Sequence, residues 1–162
     1  MQTDSPSINQ SVRTIIKAGL VAGLLDAIAA MTMTIIRGGK DPSAVWRYVA
    51  SGVFGQEALT GGVPMVLWGL AFHFFIALAF AAFYYLIYPK LHRFIGSPVT
   101  IGLLYGILIW LVMNRIVLPL SNIPPPPQPF DPVRAAISMA IIMVMVGLPI
   151  SLIVNRHYSS RR

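Results

Sequence analysis

Four uninterrupted apolar runs, at 18–36, 63–88, 99–120 and 135–154, constrain this chain more than any other feature. A bilayer core of about 30 Å is crossed by roughly 20 helical residues at about 1.5 Å each. Only helices and closed barrels satisfy their backbone groups in lipid. The runs are continuous rather than alternating, so they read as helices. The predicted architecture is an all-α membrane protein: a single domain over 1–162 with spans at 14–36, 63–88, 99–120 and 135–154, plus a short outer-face surface helix at 42–51. With 56% hydrophobic and only 10% charged residues, a soluble globular domain is excluded. The spans leave no room for a separate one. Asp26 interrupts what would be the apolar region of a cleaved signal peptide, so the first run reads as a span.

The net charge of +7 comes from Lys and Arg scattered singly at span ends. That distribution suits membrane topology and gives no nucleic-acid patch. An even number of spans puts both termini on one side, with Arg13, Lys17, Lys90, Arg93, Arg156, Arg161 and Arg162. Arg37, Lys40, Arg47, Arg115 and Arg134 lie on the other side. The bias favours cytoplasmic termini. Tyr84, Tyr85 and Tyr88 read as an inner aromatic belt, and Trp46, Tyr48 and Trp68 as an outer one.

In the loop after the first run, Asp41-Pro42-Ser43 is an N-cap with proline at the first helical position. Val45, Tyr48, Val49 and Gly52 share one face of the helix that follows, which either lies on the membrane surface or forms a lid packed on the bundle ends. Asp131-Pro132 repeats the capping signal before the fourth run. The prolines of 124–129 suit a stiff extended strap, and Gly147-Leu148-Pro149 predicts a kink.

The exceptions inside the apolar runs are Asp26, His73, Asn114 and Ser138, one per span. Counted from the cytoplasmic ends they lie roughly 18–24 Å in, so near-vertical helices could bring them into one polar layer. Gly19, Gly23, Asp26 and Ala30 fall on one stripe of the first helix. Small residues at such spacing let helices approach closely, which turns the carboxyl toward a neighbour rather than lipid. Gly69, His73 and Ala77 do the same in the second span. Gly102 and Gly106 repeat the Gly19 and Gly23 spacing, an echo of the kind a two-plus-two duplication leaves. His73 is the natural partner for Asp26 in a proton- or ion-responsive site. The competing reading is a polar clasp in which Asp26 bonds His73, Asn114 or Ser138 and nothing is transported. Arg115, near the outer boundary, reads as snorkelling to headgroups.

The chain has no cysteine, and Met31, Met33, Met139, Met143 and Met145 suit pliable packing better than copper, so no metal or cofactor is expected. No phosphate loop, nucleophile elbow or paired-carboxylate site is present, and an enzyme is not expected.

His73-Phe74 opens an aromatic and alanine-rich run through Phe83-Tyr84 to Pro89-Lys90. Gly102-Leu103-Leu104-x-Gly106 and Pro119-Leu120 before the prolines complete a pattern that resembles the YagU-like family of uncharacterised bacterial inner-membrane proteins. The resemblance spans roughly 69–125, with a fainter match at 19–23. It implies a multi-pass location in the bacterial inner membrane and no established activity. His73 fits the pattern best; Asp26 departs from it, and Asn114 stands where a histidine is expected. The function read from these residues is permeation of protons, ions or small solutes through the polar layer. Four helices leave little room for a pore, so permeation calls for a homo-oligomer. The alternative is a non-transporting accessory or scaffold whose glycine stripes bind a partner membrane protein. In either case the surrounding partner is the lipid bilayer.

Overall fold

Two of the long helices begin on an oxygen-bearing residue followed by proline, as the sequence predicts at Asp131. Asp131 Oδ1 accepts from the Val133 and Arg134 amides at 2.9 and 3.2 Å, with Pro132 at the first helical position. Ser97 Oγ accepts from the Thr100 amide ahead of the helix that starts at Pro98. The structure, a computed structural model, describes residues 8–125 and 130–160. Most of the expected proline strap lies outside them. Among the described residues all regular structure is helical: α1 (Ile8–Ile36), α2 (Ala44–Phe54), α3 (Glu57–Thr60), α4 (Val63–Ile95), α5 (Pro98–Leu120) and α6 (Pro132–Ser159). α1, α4, α5 and α6 are each long and apolar enough to cross a membrane, and this is a multi-pass membrane protein.

Prolines shape the spans in a way the sequence reading missed. The second span does not stop at Tyr88 but runs through Pro89 to Ile95. Proline supplies no N–H to the carbonyl four residues back, and here that carbonyl, on Tyr85, accepts the Tyr158 hydroxyl at 3.4 Å. In α5 and α6 the remedy is a widened π turn. The Leu118 amide donates to Met113 O ahead of Pro119, and the Leu148 amide to Met143 O ahead of Pro149. Both segments read Met, four residues, Leu-Pro, a repeat visible in the sequence once its structural role is known.

The four spans form a ring in which α1 packs on α4 and α6, α6 on α5, and α5 least extensively on α4. The expected glycines sit at the tight crossings. A Cβ at Gly19 would lie 2.9 Å from Leu78 Cα, and one at Gly23 would lie 3.2 Å from Ala77 Cβ, both on α4. Gly102 and Gly106 likewise face Gly147, Leu148 and Met143 on α6. In each half of the chain, the glycine pair packs on the next span.

α2 packs on the bundle as a lid; it begins at Ala44, after Ser43 rather than at Pro42 behind an Asp41 cap, because Asp41 bonds the turn that precedes it, and it extends beyond Ser51 to Phe54. Trp46, Ala50 and Ser51 are buried, and the Trp46 backbone lies directly against Gly69 of α4. Gly69 stands six residues, about 9 Å, inside its helix, so α2 is sunk into the wall of the bundle. Asn122, after α5, ties down the far end of α2: its amide N–H bonds Gly52 O at 2.9 Å, and its side chain bonds Val53 O at 3.0 Å. At the near end, Asp41 accepts from the Ser43 amide and hydroxyl and pairs with Arg47.

The aromatic belts require correction. Tyr84, Tyr85 and Tyr88 are buried inside the bundle, and so is Trp46; only Tyr48 and Trp68 of the named rings are exposed. A phenol can turn inward when the interior offers a partner. Tyr84 donates to Ser151 Oγ at 2.6 Å, Ser151 donates to Pro98 O at 2.5 Å, and Tyr88 donates to Asn155 Oδ1 at 2.5 Å.

Candidate functional site: a carboxyl between two cavities

Asp26 sits at mid-length on α1, on the stripe that carries Gly19 and Gly23. Because those glycines draw α4 close, the Asp26 side chain meets the gap where α1, α4 and α6 diverge under α2. Two cavities reach it there. The larger, about 650 Å³, lies toward the α2 end and is lined by Asp26, Thr34, Arg37, Tyr48 and Ser138 among apolar side chains. Arg37 is exposed at its rim. Tyr48 lies outside the spans, and the partial burial of its ring pushes its phenol above the usual value. The smaller cavity, about 160 Å³, lies between α1, α2, α4, α5 and α6, and its ionisable lining is Asp26 and His73. Asp26 and Ile142 line both spaces.

His73 is held from three sides. Its Nε2 lies 2.8 Å from Gly23 O, and because a carbonyl can only accept, Nε2 carries a proton. The ring meets Trp46 edge-on at a centroid distance of 5.2 Å and Phe74 at 5.3 Å.

The four expected polar residues do not close into one bonded layer. Asp26 shares one cavity with His73 and the other with Ser138, whereas Asn114 lines neither. Asn114 falls in the π turn of α5, where its Nδ2 donates to Trp110 O at 2.9 Å. Ser138 donates to Ala135 O and accepts from Trp110 Nε1, both at 2.9 Å. Each of the three thus bonds a group other than Asp26. Among the described residues, no hydrogen bond or ion pair reaches the Asp26 carboxyl. Arg115 is exposed and does not pair with it.

Toward the end that carries the termini, the cavities are closed by a packed layer in which Ala18, Ala22, Ala81, Tyr84 and Ile150 are fully buried. Beyond it lies a polar cluster the sequence reading missed. The ring nitrogens of His157 lie 3.0 Å from Thr14 Oγ1 and 3.0 Å from the Tyr85 hydroxyl, and Tyr85 also donates to Ser11 at 2.8 Å. The signal was present in histidines beyond the apolar runs and tyrosines at helical spacing, but an interfacial belt accounts for the same residues.

No family model, curated protein or solved structure matches the chain.

Proposed function

We propose that this is a non-enzymatic permeation protein of the bacterial inner membrane, with cytoplasmic termini, that binds a proton or a cation at Asp26 and passes it across the bilayer. One observation carries the reading: a carboxyl at mid-span is reached by two cavities and receives no hydrogen bond from the described residues. Placing such a group at the centre of a membrane costs about 2.5–3.5 kcal/mol, a cost that a clasp would offset with a bonded partner. His73, Asn114 and Ser138 are each engaged elsewhere, which favours binding over clasping. Gly19, Gly23, Gly102 and Gly106 face helices of the same chain, which supports permeation over a scaffold that would use those glycine stripes for a partner. The Lys and Arg bias and the resemblance of 69–125 to the YagU-like family support the location and orientation.

The buried layer below the cavities closes the described state toward the end that carries the termini. Passage then requires that layer to part, either within one chain or in an assembly of copies. The test is flux from proteoliposomes: Asp26→Asn abolishes pH-dependent proton or cation flux while the protein still elutes as folded. Wild-type protein that conducts neither protons nor monovalent cations at any pH refutes the proposal.

A further inference from the structure

We infer that the cation taken up at Asp26 is a lipophilic organic cation that reaches the carboxyl sideways from the bilayer, through a groove between α2, α4 and α5. This rests on the reading of Asp26 as a cation site and names the class of substrate.

The groove, about 780 Å³, has no charged residue in its lining. It opens along the α4–α5 seam, where the ring of spans is thinnest and α2 fills part of the gap. Phe75 is 71% exposed and Trp68 50% exposed on the flank of an apolar span, so the mouth of the groove faces lipid rather than water. An apolar groove in that position would by itself suit an acyl chain. Three further features select a cation. First, Val49, Ile76 and Met113 line both this groove and the small chamber that holds Asp26 and His73, so a single layer of side chains separates them. Second, the chamber offers one carboxyl without a hydrogen bond and an imidazole whose Nε2–H is already committed to Gly23 O. No lysine or arginine lines the chamber or the groove, and within the chamber only the His73 imidazole acts on the charge of that carboxylate. Third, the groove wall carries Trp68 and Phe72 stacked at 5.4 Å, a surface that attracts cations as well as apolar bodies. Of the separating layer, Met113 is unbranched and flexible and begins the π turn of α5. A small rotation there joins groove and chamber. An apolar body bearing one delocalised positive charge matches the route, with aromatic and aliphatic walls at the start and a carboxylate at the end.

The titratable and charged groups around Asp26 are His73 in the chamber, with Tyr48 and Arg37 in the larger cavity. Protons and the organic cation therefore compete for one carboxyl.

The test is equilibrium dialysis of the full detergent-solubilised chain with tetraphenylphosphonium and with tetraphenylborate, ions of nearly the same shape and opposite charge. The expected result is saturable binding of the phosphonium alone, weakening at acid pH. Affinity should fall at least tenfold in Asp26→Asn and several-fold in the Trp68→Ala, Phe72→Ala double variant. Equal binding of the two ions would mark the groove as an acyl-chain site and overturn the inference, as would phosphonium binding unchanged by Asp26→Asn. Should Asp26→Asn not fold, the matched-ion comparison and its pH dependence on wild-type protein decide. Flux of small cations or protons that depends on Asp26, without phosphonium binding, overturns the lipophilic class and leaves the Asp26 site standing. Absence of both overturns both.

Discussion

The docking of α2 against α4 rests on Gly69, and replacing that residue tests it. A Cβ there would lie 2.6 Å from the carbonyl carbon of Trp46 and 2.9 Å from its Cα, with the carbonyl oxygen nearer still. The obstacle is backbone, so no rotamer change relieves it. Moving from 2.6 Å to the 3.4 Å where ordinary contact begins demands that α2 retreat by about 0.8 Å at least. Overpacking of this kind costs about 1–3 kcal/mol, and a backbone clash belongs at the upper end. Alanine in place of glycine within a helix returns about 0.8–1 kcal/mol, leaving a net loss of about 2 kcal/mol. For a chain of this size that is about 4–8 °C in Tm. Gly52, in α2 itself, is the control: its Cβ would meet nothing nearer than Ser121 Cβ at 3.7 Å, so Gly52→Ala keeps the helix gain and loses nothing. Thermal melts of the two variants in one detergent should move in opposite directions. Trp46 fluorescence should change in Gly69→Ala only, because the ring leaves His73. Gly69→Ala melting at or above Gly52→Ala would refute the docking of α2 and, with it, the chamber it roofs.

At the start of α2, bonds from Ser43 and then the pairing with Arg47 hold the Asp41 carboxyl down to about 2 from its ordinary 3.8. A lowered folded-state value stabilises above the unfolded pKa and is lost as pH falls through the folded one, so amide exchange in α2 should quicken between pH 4 and 2. Asp41→Asn should remove that dependence. Ser151→Ala leaves the buried Tyr84 hydroxyl without its acceptor and should cost about 1–3 kcal/mol in denaturant melts. Tyr158→Phe removes the donor to Tyr85 O and should cost about 0.5–1 kcal/mol in the parent. In a Pro89→Ala background, where residue 89 supplies an amide to the same carbonyl, that cost should vanish.

The spans were legible because lipid imposes one rule on every residue of a crossing segment, and the cap at Asp131 because it acts within three residues. The glycine crossings were legible too, since small residues at helical spacing have few other uses in a span. What escaped were features decided by a partner far along the chain. Pro89 reads locally as a stop, yet the helix continues, with the hydroxyl of Tyr158, 69 residues on, bonding the carbonyl that Pro89 leaves without an amide. Tyr84, Tyr85 and Tyr88 read as headgroup anchors until Ser151, Ser11 and Asn155 supply interior acceptors. For the site, residue type and depth pointed to Asp26 and His73. The sinking of α2 between the spans, which creates the chamber around them, depends on Gly69 and on Asn122 at the far end of α5.

The π turns have a consequence for how α5 and α6 face their surroundings. A turn closed five residues back instead of four accommodates one extra residue, which offsets everything beyond it by about 100° relative to an unbroken α-helix. A helical wheel drawn straight through Met143–Gly147 thus merges two faces that are not in phase. The stretch carrying Ser138 and Ile142 is aimed at the cavities, and the stretch carrying Ile150, Ser151 and Val154 at the buried tyrosines, each on its own azimuth. Removing one residue from that turn would restore a regular helix and swing one half of α6 out of alignment with its neighbours, although every side chain in both halves is unchanged.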